Sequence, residues 1–229
     1  MGSIFLVRHG QASFGADDYD QLSEVGVKQA CRLGQELQRR FSSIDAVVHG
    51  DMRRHLQTMH YCMQEFIQLK FEPILHAGWR EYDHQHILGQ FNSVLATPKS
   101  IHQHLAQFDN PQQVFRQYFT DAISHWINGE RDYDESWQQF TQRVEHAWLQ
   151  LQDVAKDKKR VLVFTSGGPI AFICLQLLGL SHQQFLRVNW MLNNCGVTKV
   201  VMSKQGPVLS TFNEHSWFEG EFQHLISYR

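Results

Sequence analysis

Four short stretches of this 229-residue chain carry side chains suited to gripping and attacking an anion. The first is Arg8-His9-Gly10. A guanidinium beside an imidazole can hold an oxyanion close to the ring nitrogen. Nearby positive charge lowers the imidazole pKa and keeps the ring neutral and nucleophilic. Gly10 would let the backbone approach a ligand closely. A bare tripeptide of this kind also fits a loop arginine and a solvated histidine, so the other three stretches matter.

Arg54 is the second. It falls in the first turn of a predicted helix, where unpaired N–H groups and the macrodipole attract anions. A guanidinium there adds a bidentate fork for phosphate oxygens. Arg53 fits a surface ion pair better. The third is Ser166-Gly167-Gly168, a turn that can offer a hydroxyl and backbone N–H groups to phosphate. The fourth is Glu81, within Trp79-Arg80-Glu81-Tyr82. A carboxyl held beside bound phosphate and an aromatic ring should have a raised pKa, suited to protonating a leaving oxygen. The plainer reading of Glu81 is an exposed partner of Arg80.

Each stretch follows a predicted strand. Ile4 to Val7 reads as a buried strand with chemistry at its C-terminal end. Ser23 is placed to cap a helix whose apolar stripe is Ala30, Leu33, Leu37 and Phe41. Ala46 to Val48 is a second strand. Asp51 would cap the next helix, with stripe Met52, Leu56, Met59, Met63 and Phe66. Phe71 to Leu75 is expected to be another strand. Ser136 and Gln139 form a capping-box pattern for a helix with stripe Trp137, Phe140, Val144, Trp148 and Leu151. Val161 to Phe164 is a continuous apolar strand, followed by the glycine turn and an apolar helix ending near Gly179. Val197 to Met202 and Val208 to Phe212 flank Gln205-Gly206-Pro207 and read as a hairpin. Alternating strands and helices predict an α/β fold with a mostly parallel sheet.

Residues 84–135 differ, being rich in Gln, His and aromatics with no strand alternation. They are expected to form a mostly helical insertion over the active face, within one domain spanning 1–229. Asn110-Pro111 looks like a cap with proline at the first helical position, and Phe115, Phe119 and Ile123 share one face. Trp126 and Phe119 are candidates to line a substrate entrance.

Bulk properties narrow the functional classes. A chain of this length buries roughly 70% of its unfolded surface and needs no staple. The hydrophobic fraction is 42%, the charged fraction 19% and the net charge −2, which argues against a nucleic-acid-binding face. Cys31, Cys62, Cys174 and Cys195 form no CxxC pair and are expected to be reduced, mostly buried thiols. The 14 histidines include His84/His86 and His102/His104. On a helix such pairs diverge and could not share a metal, whereas in an extended loop they could; they are read as solvated loop histidines and no metal site is expected. No stretch is long enough to span a membrane, and no leader is evident, so the cytoplasm is the default expectation.

The motifs also occur in the order of a known family. The chain resembles the histidine phosphatase superfamily, also called phosphoglycerate mutase-like. The matching pieces are Phe5-Leu6-Val7-Arg8-His9-Gly10-Gln11-Ala12, Leu22-Ser23-Glu24-Val25-Gly26 with Gln29-Ala30, Arg54 with Gln57-Thr58, Glu81, and Val161 through Gly168. The resemblance implies a three-layer α/β/α sandwich with one mixed sheet. It implies that His9 attacks phosphorus and becomes phosphohistidine, that Arg8 and Arg54 clamp the oxygens, and that Glu81 protonates the leaving alkoxide and later activates water. Ser166 and Gly167 would contact the phosphoryl group. No cofactor is implied, because arginines supply the positive charge. The partner would be a small-molecule or protein phosphomonoester.

One position departs from the family. A second histidine usually precedes the two glycines of the last motif, and this chain has Ser166 there. Loss of that charge would cost about 3 kcal/mol, or roughly a hundredfold in rate. His49, His55, His86 and His215 are the candidates to replace it. Two alternatives to a phosphatase stay open: a weakly active phosphate-binding or regulatory member, and a mutase-type phosphotransferase. The segment Gln11 to Ala16 fits hydrolysis better than mutase chemistry. The hairpin also offers an edge through which a homodimer could pair.

Overall fold

The computed structural model describes residues 2–13, 20–66 and 71–228. Part of the segment compared above with mutases, residues 14–16, lies outside them. In chain order the elements are β1 (Ser3–Arg8), α1 (Glu24–Arg40), β2 (Ala46–His49), α2 (Arg53–Met63) and β3 (Ile74–Leu75). There follow α3 (His84–Phe91), α4 (Pro98–Leu105), α5 (Pro111–Asn128) and α6 (Trp137–Ala155). The chain continues with β4 (Arg160–Thr165), α7 (Gly167–Leu178), α8 (Phe185–Asn189), β5 (Val197–Ser203) and β6 (Gly206–Glu214).

Among the described residues six strands form one sheet in the order β3-β2-β4-β1-β5-β6. β3, β2, β4 and β1 run parallel, so their C-terminal ends share one edge, while β5 and β6 are antiparallel. β1 and β4 pair in register from Ser3 with Arg160 to Arg8 with Thr165. This register places the residues after both strands side by side.

Side-chain alternation sorts the core into two layers. Ile4, Leu6, Ala46, Val48, Val161 and Val163 face a cluster with α6 and α7. Phe5, Val7, Val47, Leu162 and Phe164 face the other way, against α1, α2 and the C-terminal turns. The strands are apolar on both sides because helices cover both faces. The result is the three-layer α/β/α sandwich with a mixed, mostly parallel sheet. α3 and α5 contribute Ile87, Leu88, Ala122, Ile123 and Trp126 to the first layer.

Several caps follow the sequence. The side chains of Ser23, Asn110 and Ser136 accept from the N–H groups of Gly26, Gln113 and Gln139. Gln139 returns the bond to Ser136, completing the capping box. Four expectations need correction. Asp51 caps nothing, because its carboxylate is held by Arg80 at 2.5 and 2.9 Å. The N–H of Arg53 instead reaches Asp20, far away in sequence. Leu56 is 47% exposed and lies outside the buried stripe of α2. The strand expected over Phe71 to Leu75 shrinks to Ile74–Leu75, because Pro73 lacks the N–H that a longer ladder needs. Trp126 lines no entrance. It is fully buried, and its indole donates to the Glu135 carbonyl at 2.8 Å.

All four cysteines are free thiols, with Cys31 half-buried and the rest buried. Among the described residues no helix is long and apolar enough to cross a membrane.

Candidate active site

The four stretches singled out in the sequence converge at the C-terminal ends of the four parallel strands. β1 delivers Arg8 and His9, the β2–α2 connection delivers Arg54, the segment after β3 delivers Glu81, and the β4–α7 turn delivers Ser166 and Gly167. This is the crevice where open α/β sheets bind ligands.

His9 is buried, with 6% exposure. Its backbone is fixed from three sides. The N–H donates to the Thr165 carbonyl at 2.8 Å, and the carbonyl accepts from Asn194 Nδ2 at 3.0 Å and from the Cys195 N–H. The ring is fixed by Nδ1, 2.7 Å from the Gly10 carbonyl. A carbonyl only accepts, so Nδ1 carries the proton and Nε2 presents its lone pair. Arg54 Nε donates to Nε2 at 3.2 Å. Burial, reinforced by Arg54, Arg8 and His55, holds the His9 pKa well below the ordinary imidazole value. The ring is therefore neutral, oriented and flanked by cations.

Arg54 is itself buried and reaches past His9 to Asp20, with Nη1 at 2.8 Å from Oδ1. Arg8 Nη1 donates to the carbonyls of Leu192 and Tyr228, the latter at 3.2 Å. That contact ties the last turn of the chain to the site. Gly10 has a packing role that the sequence did not show. A side chain there would run into the backbone of Gly26, so it permits packing of the loop on α1, and Gly26 meets Gln11 in the same way.

Glu81 does not pair with Arg80. It bends over the start of α7, where Oε2 accepts from the Gly168 N–H at 3.1 Å and Oε1 from the Tyr82 N–H at 3.2 Å. Withdrawal from water raises its pKa; the two N–H groups and both arginines pull the other way. A carboxyl with a raised pKa and an imidazole with a lowered one are environments suited to an acid and a nucleophile. Gly168 is required by this arrangement, since a Cβ would collide with Glu81 and the Tyr82 ring. Gly167 lies between Asn189 and Arg8 and leaves no room for a side chain either.

Ser166 is fully buried, and its Oγ lies 2.6 Å from His55 Nε2. Of the four histidines considered as replacements, His55 alone meets it. His49 bonds to the Gly50 carbonyl, His215 to the Asn213 carbonyl, and His86 pairs with Asp134. The rings of His55 and His9 are 5.8 Å apart.

Several supporting residues lacked a role in the sequence reading. Thr58 Oγ1 accepts from the Gly10 N–H at 3.0 Å and donates to the Arg54 carbonyl. Gln57 accepts from the Leu22 N–H, and Gln29 from the Gln11 N–H. These three stood within the matching motifs, and their spacing on helices was the available signal. Asn194 and Asp20 gave none, because their partners are distant in sequence. The His-x-His pairs, expected as solvated loop histidines, lie instead on α3 and α4, where they diverge; His84 and His104 are half-buried, beside Phe119 and Tyr118. Among the described residues no cluster of three or more His, Cys, Asp or Glu is arranged to hold a metal.

Known proteins bear on this geometry. A Schizosaccharomyces pombe protein named Probable phosphatase is 34% identical over 79 residues, which is 31% of this chain and 37% of that relative. The alignment thus spans well under half of the curated relative. Among solved structures, Entamoeba histolytica phosphoserine phosphatase superposes with a TM-score of 0.63 at 20% identity, covering 95% of this chain and 99% of that one. Bacillus anthracis phosphoglycerate mutase gives 0.61 at 18% identity, covering 94% of each chain. At such identities the structures establish the shared fold. The family model for the histidine phosphatase superfamily, branch 1, matches residues 4–215, and the chain belongs to that superfamily.

Proposed function

We propose that the protein hydrolyses a phosphomonoester through a phosphohistidine on His9. The observation that carries this reading is the proton arrangement of His9. Nδ1 is committed to the Gly10 carbonyl, so Nε2 is the unprotonated nitrogen; its lone pair accepts from Arg54 Nε at 3.2 Å and must exchange that bond for phosphorus when a substrate is held. Family membership and the likeness to a probable phosphatase over part of the chain support phosphoryl transfer.

In the first half-reaction His9 Nε2 bonds to phosphorus as the ester P–O bond breaks. The leaving oxygen takes the proton of the Glu81 carboxyl. Arg8 and Arg54 neutralise charge on the phosphoryl oxygens, so catalysis is mainly positioning and electrostatics, with no metal required. In the second half a water gives its proton to the Glu81 carboxylate and attacks phosphorus. The P–N bond breaks, and inorganic phosphate leaves with His9 restored. Ser166 and Gly167 border the phosphoryl site.

The test is incubation with a panel of ³²P-labelled phosphomonoesters, followed by acid and base treatment of the quenched protein. An acid-labile, base-stable label on His9, absent in His9→Ala, is expected. Anion binding that depends on Arg8 and Arg54, with no label and no phosphate release from any ester, would favour a regulatory phosphate-binding role instead.

A further inference from the structure

The Ser166–His55 contact has no part in the half-reactions above, yet both side chains are fully buried beside the nucleophile. A hydroxyl carries one proton and two lone pairs, so its usefulness to a phosphoryl oxygen depends on where that proton points. The contact with His55 decides this, and the imidazole tautomer decides the contact.

The tautomer follows from the far side of the ring. His55 Nδ1 is buried and has no hydrogen-bond partner among the described residues. It faces Gly50, where an added Cβ would overlap it. A proton on Nδ1 would strand a buried N–H, whereas a proton on Nε2 strands only a lone pair. Orphaned buried N–H groups are the rarer and costlier case. Nε2 therefore carries the proton and donates it to Ser166 Oγ. Burial, then Arg54, His49 and Arg80, keep the ring from gaining a second proton. With Oγ already accepting from His55, the hydroxyl proton is left to donate elsewhere.

We infer that His55 is a positioning residue that directs the Ser166 hydroxyl proton toward a phosphoryl oxygen bound at His9. This deepens the phosphatase reading and rests on it. The two site histidines then hold opposite tautomers, Nδ1–H on His9 and Nε2–H on His55. The local fold explains why the same helix supplies both cation and positioner. Consecutive residues on a helix point about 100° apart, so the first turn of α2 sends Arg54 to His9 and His55 to Ser166.

Two measurements test the inference. Two-bond ¹H–¹⁵N correlation spectra of the wild-type protein should show His55 as the Nε2–H tautomer and His9 as Nδ1–H. An Nδ1–H signal from His55 overturns the inference, whether or not the protein turns over any ester. The second is a mutant cycle on p-nitrophenyl phosphate. Ser166→Ala should lower kcat about a hundredfold, as for loss of one oxyanion donor. His55→Ala should lower kcat about tenfold with KM changed less than about twofold, because it acts only through Ser166. His55→Gln, whose amide can donate to Oγ, should recover most of that loss. The double variant His55→Ala/Ser166→Ala should be no slower than Ser166→Ala alone. Independent, multiplicative losses, or a His55→Gln protein as slow as His55→Ala, overturn the positioning role. If the wild type releases no phosphate, the phosphatase reading fails separately. The same cycle is then read from orthovanadate affinity by calorimetry, where an unchanged affinity in Ser166→Ala also overturns the inference.

Discussion

Glu81→Gln separates proton donation from phosphate capture, because it keeps the shape of the side chain and removes its acid. In the structure each carboxyl oxygen accepts one backbone N–H, from Tyr82 at 3.2 Å and Gly168 at 3.1 Å. A protonated carboxyl keeps a lone pair on both oxygens and can satisfy both donors while its O–H faces the leaving group. Glutamine has one acceptor oxygen and one NH2 group, so one of the two N–H groups loses its partner. Glu81 is only half-buried, which puts the stability cost near the low end for an unsatisfied donor, about 1 kcal/mol. The catalytic cost is larger. A positioned general acid contributes about 10²–10⁴-fold, and the loss should depend on the leaving group. A nitrophenolate departs without a proton, whereas an alkoxide does not.

The assay compares p-nitrophenyl phosphate with glycerol phosphate in rapid-quench mixing. With the alkyl ester, formation of phosphohistidine itself should slow by about 10²–10⁴-fold. With the aryl ester the first turnover should stay near the wild-type rate, and breakdown should then stall because no base activates water. A burst of nitrophenolate equal to the enzyme concentration, with label held on His9, is the expected signature. An equal loss of first-turnover rate on both esters, with no burst, would refute Glu81 as the proton donor. Wild-type turnover of the alkyl ester by Glu81→Gln would refute it as well.

Arg54→Ala removes the donor at 3.2 Å from His9 Nε2 and should lower kcat/KM about 10²–10³-fold in steady-state assays. The pH profile of kcat/KM should be bell-shaped and centred on the acidic side. His9 must be neutral, and its lowered pKa keeps the rate up below pH 6.5 until the pH falls to that lowered value. Glu81 must be protonated, and its pKa, raised above 4.5, makes the rate fall as pH climbs through that raised value. In Arg54→Ala the acid limb should move to higher pH, because Arg54 is one of the groups depressing His9. A limb that stays in place would count against that coupling. Trp126→Ala should destabilise the fold by about 3–5 kcal/mol in urea titrations, since the ring is fully buried and packs edge-on against Trp137 and at a tilt against Tyr82 and Phe140. A loss below about 1 kcal/mol would show that this layer relaxes around the gap.

The candidate site residues could be located in the sequence because each comes after a predicted strand, and parallel strands place the segments that follow them at one edge. What escaped was long-range satisfaction of polar groups. Asp51 looked like the cap of α2 because it precedes the helix, but Arg80 claims its carboxylate, and the N–H of Arg53 is met by Asp20. No local window contains those pairs. The stripe of α2 was misjudged for a related reason. Its buried face includes Arg54, His55 and Thr58, polar residues that a hydrophobic count assigns to solvent. Leu56 was placed inside by the same count and is exposed. Residues 84–135 were expected to be mostly helical, and α3, α4 and α5 lie within 84–128, yet Trp126 was read as a candidate entrance residue when it fills the core beside Tyr82. Aromatic composition alone does not say which face a ring will take.

The polar first turns of α2 explain how a small site can be held without charge pairs on every member. Arg54 meets His9, His55 meets Ser166, Gln57 meets the Leu22 N–H, and Thr58 meets the Gly10 N–H. Four side chains from five residues thus hold the loop after β1, the turn after β4 and the entry to α1. Close packing fixes the helix itself, since Gly34 of α1 lies against the Cys62 backbone with no room for a Cβ. A shift of α2 would therefore disturb nucleophile, cation and hydroxyl together. Such shared support keeps catalytic groups near the productive geometry, where small misplacements cost large factors in rate. It also means that burying Arg54, His55 and Thr58 is compatible with a stable fold, because each meets a partner on a strand tip or on the loop that follows one.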